Sequence, residues 1–276
     1  MKNILVPTDF SDCSRVAEEV GIKLAKRAKA EIHFLHIQWT PITWTRLPLE
    51  KEDLYPETKA QIGYAKRELD KLVNRAEKLG LKAEQFLIFD KGRPEITNHI
   101  RHHKHDFIVM GSHGTSGIRE LLGTNAQHIV RYSPSPVLVV KNSPQNFEVK
   151  NIVFASSFEE VTQHPFLQVI ELGDLLGSQI HLLYVNLPFS FKETDEIEEN
   201  MNSFHSKCPR GTCSINIYNA LNEERGIQKF AEKVNADIIA ITTHGKTGFL
   251  RMISQSITES LVNHSDIPVL SVNAKV

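Results

Sequence analysis

Residues 106–140 contain the glycines and polar side chains whose types and spacing are best suited to bind a ligand. A short apolar run ends at Gly111, and Gly114 and Gly123 follow three and then nine residues further on. Glycines directly after a buried strand are typical of a tight turn, or of a backbone that a ligand approaches closely. Backbone N–H groups at such a turn, and at the start of a following helix, are suited to bind phosphate.

A helix is predicted to begin at Thr124. Thr at an N-cap with Gln127 three residues later forms a capping box, which stabilises the first turn of a helix. Ala126, Ile129 and Val130 would then lie on one face of that helix. The helix would place its first backbone N–H groups beside the glycine turn, where they complete the predicted anion site.

Length and composition describe a globular chain. The 276 residues are 41% hydrophobic and 24% charged, which predicts a full core in one large domain or two domains of ordinary size. A formal net charge of −1 gives no electrostatic reason to expect nucleic acid or an anionic membrane as a partner. No signal-like or membrane-length apolar run is apparent, and the small number of cysteines makes a cytoplasmic, reducing location the default expectation.

The chain repeats itself. Two early segments recur 148 residues later: 4–10 as 152–158, and 31–37 as 179–185. Two later segments recur after 131 or 132 residues: 106–109 as 237–240, and 136–138 as 268–270. Repeats of this length predict homologous domains, so we expect a first copy at residues 1–141 and a second copy at 150–276, joined by a polar stretch.

Strands and helices alternate along the first copy. Strands are predicted at 4–6, 32–37, 86–89, 107–110 and 137–140. Helices are predicted to begin at about Ser11, after Pro94 and at Thr124. Residues 38–56 are predicted to form a loop, and the long helix that follows is predicted to end at about Leu79, with one apolar stripe that comprises Ala65, Leu69, Leu72, Ala76 and Leu79. This alternation predicts a doubly wound α/β domain with a five-stranded parallel sheet in each copy. Ligands bind such sheets beyond the carboxyl ends of the strands, where the strand order reverses. Asp9, Ile37 and Met110 lie at predicted strand ends.

Five segments in this order resemble the universal stress protein family: 6–11 (VPTDFS), 36–37 (HI), 106–114 (DFIVMGSHG), 123–124 (GT) and 135–141 (SPVLVVK). The resemblance covers nearly the whole chain and is to a tandem member with two domains. It implies Rossmann-like domains of the adenine nucleotide α-hydrolase type, arranged as an intramolecular pseudo-dimer. The last strands of the two copies, 137–140 and 269–272, would then pair with each other.

The resemblance also implies an adenine nucleotide in the first copy: ATP, ADP or AMP, with Mg²⁺ as a companion of ATP. Carried over residue by residue, the site comprises Pro7, Thr8, Asp9, Ile37, Met110, Gly111, His113, Gly114, Gly123, Thr124 and Asn125. Asp9 would accept hydrogen bonds from the ribose, Ile37 would hold the adenine through its backbone, and the residues from Gly123 on would bind the phosphates.

Two departures from the family pattern define the alternatives. Eight residues, 115–122, separate Gly114 from Gly123, where ATP-binding members have nine. In the second copy Asp9 is replaced by Ser157, Gly111 by Thr242 and Gly123 by Gln255, which predicts a copy without nucleotide. The leading hypothesis is therefore a stress-response regulator with one nucleotide site, and the alternative is a scaffold of the same fold that binds none.

No dedicated base or arginine finger is identifiable, so at most slow ATP hydrolysis is expected. An unidentified protein partner and a homodimer of the tandem chain are compatible with this reading. A metal role is not predicted. His102, His103 and His105 are interpreted as a solvated helix end, and Cys208 and Cys213 as loop cysteines. The three cysteines, which include Cys13, are too few for a disulfide framework.

Overall fold

The computed structural model describes residues 1–90, 96–112, 124–141, 147–208, 211–243 and 255–274. They belong to two compact units, Met1–Gly111 and Ser112–Val276. The predicted copies, 1–141 and 150–276, are defined by sequence repetition rather than by compactness, and their boundaries stay a prediction.

The first unit is a parallel sheet with its connecting helices. It contains β1 (Asn3–Pro7), α1 (Asp12–Ala28), β2 (Glu31–Trp39), α2 (Pro56–Lys78), β3 (Ala83–Asp90), α3 (Ile96–His102) and β4 (Phe107–Gly111). The strand order is β3-β2-β1-β4, and every pair is parallel. The order reverses at β1, between β2 and β4, as in doubly wound sheets that bind ligands at this point.

The second unit contains the remaining elements. They are α4 (Thr124–Tyr132), β5 (Val137–Val140), β6 (Asn151–Ala155), α5 (Gln163–Leu176), β7 (Gln179–Asn186), α6 (Thr194–His205), β8 (Cys213–Asn219), α7 (Glu223–Lys233), β9 (Ile238–Thr243), α8 (Gln255–His264) and β10 (Val269–Asn273). Strands β6 to β10 form the predicted five-stranded parallel sheet, in the order β10-β9-β6-β7-β8.

The last strands of the two copies pair as predicted. β5 runs antiparallel to β10, with Leu138 opposite Leu270 and Val139 opposite Val269. Each of these four side chains is at most 2% exposed. Buried, β-branched and leucine side chains on both strands explain why a continuous apolar run marks each of them in the sequence.

Helical periodicity predicted the buried faces well. α1 begins after the N-cap Ser11, whose side chain accepts a hydrogen bond from the N–H of Ser14, and it buries Val20 and Leu24. α2 buries four of the five residues in its predicted stripe: Ala65, Leu69, Leu72 and Ala76. The fifth, Leu79, is 46% exposed because the helix ends at Lys78.

In each copy an aspartate side chain binds the backbone at the start of the first strand. The carboxylate of Asp106 accepts hydrogen bonds from the N–H groups of Lys2 and Asn3, at 2.6 and 3.1 Å. Asp237 does the same at the start of β6, at 2.7 and 2.9 Å. The repeated Asp-Phe/Ile segments of the sequence therefore have a structural role in addition to supplying strand residues.

Several local features were not predicted. β3 begins at Ala83 rather than at residue 86. The earlier start has no apolar run to mark it, because Glu84 and Gln85 are polar. Two 3₁₀ helices, Trp44–Arg46 and Leu49–Leu54, lie in the expected loop. Cys208 and Cys213, which the sequence analysis interprets as loop cysteines, form a disulfide with their Cα atoms 6.0 Å apart. No helix among the described residues is long and apolar enough to cross a membrane.

Candidate functional site

The turn after β1 is organised by Thr8. Its N–H donates to the carbonyl of Leu35 in β2 at 2.8 Å, which extends the sheet by one residue. Its hydroxyl donates to Oε1 of Glu18 at 2.6 Å and accepts from the N–H of Phe10 at 2.9 Å. Nδ1 of His36 lies 2.8 Å from the carbonyl oxygen of Thr8. Both the backbone and the side chain of Thr8 are therefore fixed.

Glu18 is a buried carboxyl group directly behind this turn. It is 4% exposed and lies on the inner face of α1. Burial raises the pKa of the Glu18 carboxyl above its ordinary value, while the hydrogen bond from Thr8 and the charge of Arg75 act to lower that pKa. Sequence reasoning missed this network, because Thr8 and Glu18 are ten residues apart and Glu18 looks like a surface residue of a charged helix.

Asp9 presents an exposed carboxylate at the carboxyl end of β1. Its Oδ1 accepts hydrogen bonds from the N–H of Ser11, at 3.0 Å, and from the hydroxyl of Ser14. The N–H of Asp9 in turn donates to the Ser14 hydroxyl at 3.3 Å. Phe10, the next residue, has a left-handed backbone with φ of 65°, which is uncommon for a bulky side chain. The carboxylate is thus oriented by the start of α1 and can accept hydrogen bonds from a ligand's hydroxyl groups.

Gly111 ends β4 against the first turn of α1. A Cβ atom at this position would lie 2.3 Å from the carbonyl oxygen of Cys13 and 3.0 Å from the backbone nitrogen of Ser14. Both neighbours are backbone atoms, so a side chain would force β4 and α1 apart. Close packing of helix and strand therefore requires a glycine at this position. The predicted contact of Gly111 with a ligand stays a prediction.

The remaining predicted residues are only partly described. Pro7 ends β1, Ile37 lies in β2 opposite Ile88, and Met110 is 5% exposed in β4. These residues reach the same edge of the parallel sheet as Asp9. Thr124 and Asn125 open α4 in the second unit, as predicted for the helix start. His113, Gly114 and Gly123 lie outside the described residues.

A small charged cleft lies between α1 and α2, beside the Thr8–Glu18 pair. It has a volume of about 170 Å³ and is lined by Phe10, Arg15, Glu18, Glu68, Lys71, Leu72 and Arg75. Ligand pockets for drug-sized molecules usually start at about 300 Å³, so the cleft is too small for a nucleotide. Spacings of three and four residues along both helices bring these side chains to one face, a signal that is present in the sequence.

The second copy keeps the turn and changes its surroundings. Phe158 has φ of 56° and its N–H donates to the hydroxyl of Ser156, as Phe10 does to Thr8. Phe166 occupies the repeat position of Glu18 and is fully buried. Its ring lies 5.2 Å from Phe154 and 5.5 Å from Phe204, between ring centroids. An aromatic cluster therefore replaces the polar network of the first copy.

Of the three histidines near the end of α3 that the sequence assigned to a solvated helix end, His102 is exposed but His105 is buried. His105 is only 3% exposed, and its Nε2 lies 2.8 Å from Nδ1 of His33 in β2. Burial, followed by the neighbouring histidines, lowers the pKa of His105 to about 3 and that of His99 to about 4. Both rings are neutral at neutral pH, because packing against the sheet outweighs the preference of helix ends for cations.

Comparison with known proteins agrees with two related halves. A profile described as the universal stress protein family matches residues 1–141 and 221–273. Universal stress protein MJ0531 of Methanocaldococcus jannaschii is 34% identical over 143 residues, which are 51% of this chain and 82% of that protein. YxiE of Bacillus subtilis, also a universal stress protein, is 33% identical over 146 residues, or 50% of this chain and 97% of that one.

A solved structure matches both halves together. A universal stress protein from Archaeoglobus fulgidus DSM 4304 superimposes with a TM-score of 0.74 at 20% identity, and the match covers 99% of this chain and 98% of that chain. At this identity the likeness concerns the fold. Relatives that each match about half of this chain, and a structural neighbour that matches all of it, are what a tandem chain predicts.

Proposed function

Because the chain belongs to the universal stress protein family, we propose that its first copy binds an adenine nucleotide at the carboxyl edge of β1, β2 and β4. The observation that carries the proposal is the Asp9 carboxylate, which is held by Ser11 and Ser14 at the point where the strand order reverses. A carboxylate that is oriented before the ligand arrives loses little freedom on binding.

Each part of the nucleotide has a proposed partner. Asp9 accepts hydrogen bonds from the ribose hydroxyls, and the backbone of Pro7, Thr8 and Ile37 contacts the adenine. His113, Gly114, Gly123, Thr124 and Asn125 are proposed for the phosphates of ATP or ADP, which Mg²⁺ would accompany. Met110 and Gly111 border the ribose, with Gly111 serving mainly to let α1 approach.

The second copy is proposed to bind no nucleotide. Ser157 supplies a hydroxyl where the first copy has a carboxylate, and the aromatic cluster around Phe166 replaces the polar network behind the turn. Nucleotide occupancy in the first copy would then control a protein partner, which is how we interpret a regulatory role in stress. A scaffold without nucleotide is the alternative.

The experiment is to identify and titrate the ligand. The untagged chain is purified without added nucleotide and denatured, and released small molecules are identified by mass spectrometry. The stripped protein is then titrated with ATP, ADP and AMP, following tryptophan fluorescence. Trp39 ends β2 two residues after Ile37 and is 60% exposed, so it is placed to report on adenine. We expect about one nucleotide per chain.

Asp9→Asn and Ser157→Ala form a matched pair for this experiment. Asp9→Asn keeps an acceptor for Ser11 but removes the charge, and it should weaken binding about 10- to 150-fold, since a hydrogen bond to a charged group contributes about 1.5–3 kcal/mol. Ser157→Ala, at the repeat position, should leave the affinity unchanged. Two nucleotides per chain would contradict the assignment of the second copy, and no binding at millimolar concentration would favour the scaffold.

A further inference from the structure

Three side chains converge on one face at the amino ends of β2 and β3. Glu31 and His33 are two residues apart in β2 and therefore point to the same side of the sheet. Glu84 lies directly opposite His33 in the parallel register of β3. One ligand atom from each of the three side chains lies within 4.8 Å of the others. Among the described residues, this arrangement brings two carboxylates and an imidazole together.

His33 is held as a ligand would be held. It is 6% exposed, and its Nδ1 lies 2.8 Å from Nε2 of buried His105. If Nδ1 donates that hydrogen bond, Nε2 carries the lone pair. Nε2 is buried, has no hydrogen-bond partner among the described residues, and lies 3.4 Å from Oε1 of Glu31. Metal-binding histidines are commonly oriented in this way by a hydrogen bond from the other ring nitrogen.

The spacing suits a tetrahedral metal ion. Two ligand atoms, each about 2.1 Å from a tetrahedral zinc ion, are about 3.4 Å apart, which is the separation of His33 Nε2 and Glu31 Oε1. The exposed Glu84 side chain can move the remaining distance. We propose that Glu31, His33 and Glu84 bind a divalent transition-metal ion, Zn²⁺ by preference, with water in the fourth position.

The second copy provides an internal contrast. His181 stands at the repeat position of His33, but both of its ring nitrogens have partners: Nδ1 lies 2.9 Å from the Ser214 hydroxyl and Nε2 lies 3.2 Å from Oδ1 of Asn151. The position of Glu31 is taken by Gln179, and the residue opposite His181 in the sheet is Ser214. The second histidine is satisfied by neutral hydrogen bonds, whereas the first faces two carboxylates.

The proposed metal site is separate from the proposed nucleotide site. His33 and Ile37 are four residues apart in β2, a distance of about 13 Å along a strand. The metal would join β2 to β3 at the opposite edge of the sheet from Asp9. Its expected effect is to stabilise this strand pair, so the test does not depend on whether the chain binds nucleotide.

The test is a zinc titration of the full, untagged chain after removal of metal with a chelator. Zn²⁺ is added in competition with a chromophoric chelator, and Co²⁺ is added separately to record the visible bands of a tetrahedral site. We expect one tight Zn²⁺ per chain, tetrahedral Co²⁺ bands and a higher Tm with metal. Glu84→Gln, an exposed substitution that leaves folding intact, should weaken Zn²⁺ binding at least tenfold and abolish the Co²⁺ bands.

Two further variants and two controls complete the design. His33→Gln should weaken binding about 100-fold or more, and His105→Phe, which removes the orienting partner, about 10- to 100-fold. His181→Gln and the exposed His102→Gln should leave binding within threefold of the native chain. Equal affinity of the native chain and Glu84→Gln, or absence of Zn²⁺ binding, would overturn the proposal in favour of a purely structural contact between His33 and Glu31.

Discussion

The turns after β1 and β6 can be compared residue by residue, because they repeat at an offset of 148. Phe10 and Phe158 both have left-handed backbones, and each N–H donates to a hydroxyl two residues earlier. The first residue of each turn also donates its N–H to the neighbouring strand, at Leu35 or Leu183. The two copies therefore share the backbone conformation and the backbone hydrogen bonds of this turn.

The side chains behind the two turns differ completely. In the first copy the carboxyl group of Glu18 accepts a hydrogen bond from the Thr8 hydroxyl, so a titratable group lies directly behind the turn. Phe166 in the second copy joins an aromatic cluster that is sealed from solvent. A turn that presents Asp9 and a turn that presents Ser157 can thus share one backbone. A sequence repeat therefore predicts a shared fold, whereas the binding properties of each copy depend on its own side chains.

The helices that follow the turns begin differently as well. α1 begins at Asp12, whose repeat position is 160, but a 3₁₀ helix (Glu160–Thr162) occupies that place and α5 begins at Gln163. Gly111 is needed where α1 touches β4, whereas the repeat position holds Thr242, which is 1% exposed. The helix of the second copy begins three residues later than the repeat position of Asp12.

The largest test of this contrast is to place the second copy's residue in the first. Gly111→Thr should lower the free energy of unfolding by about 3 kcal/mol or more, because its Cβ meets the backbone of Cys13 and neither partner can move alone. Urea unfolding followed by tryptophan fluorescence measures the loss, since both tryptophans lie in the first unit. Gly63→Ala is the matched control: its Cβ would meet only the Arg67 side chain, at 3.4 Å. A helical alanine there should stabilise by about 0.4–1 kcal/mol. Equal effects of the two substitutions would contradict the packing argument.

An intermediate test concerns a feature that both copies share. Asp106→Ala and Asp237→Ala each remove two hydrogen bonds to the backbone at the start of a first strand. Each should cost about 1–2 kcal/mol of unfolding free energy, and the two costs should agree within about 0.5 kcal/mol. Circular dichroism during urea unfolding gives both values. A loss of unfolding free energy for only one of the two substitutions would mean that the aspartate hydrogen bonds do not contribute equally in the two copies.

The smallest expected effect concerns Glu18. Burial raises its pKa, so its contribution to stability is full below the ordinary carboxyl pKa and is lost as the pH rises through the folded value. Glu18→Gln keeps an oxygen that can accept from Thr8 and removes the charge. We expect a small rise in Tm at pH 7 that disappears near pH 4. A Glu18→Gln effect of equal size at both pH values would contradict this account.

Most of the fold could be predicted from sequence periodicity and repetition. The apolar run at β5 and the stripe of α2 were located within a residue, because burial on one or both faces leaves a regular pattern. The pairing of β5 with β10 followed from the family resemblance and is confirmed. The predicted third strand, 86–89, is four residues shorter than β3, mainly because the polar residues Glu84 and Gln85 at its start hide the strand pattern.

The candidate sites could be predicted only in part. Asp9 and Gly111 could be predicted because they lie at the carboxyl ends of strands. The close packing of Gly111 against α1 is known only from the structure. The Thr8–Glu18 hydrogen bond could not be predicted, because Glu18 looks like a surface residue of a charged helix. The contact between His33 and His105 could not be predicted either, because the two residues are 72 positions apart and meet only through the register of the sheet. His105 was placed at the surface because local charge preference was weighed without the burial that the sheet imposes.

The antiparallel pairing of β5 with β10 also sets a stoichiometry. Two copies that associate through their last strands as separate chains would come apart on dilution and would form every combination of partners. On one chain the effective concentration of the second strand is set by the covalent connection and does not fall when the protein is diluted. Every molecule therefore carries one copy of each kind. Under that condition, one copy can lose a carboxylate and the other can retain it without any mixed population arising.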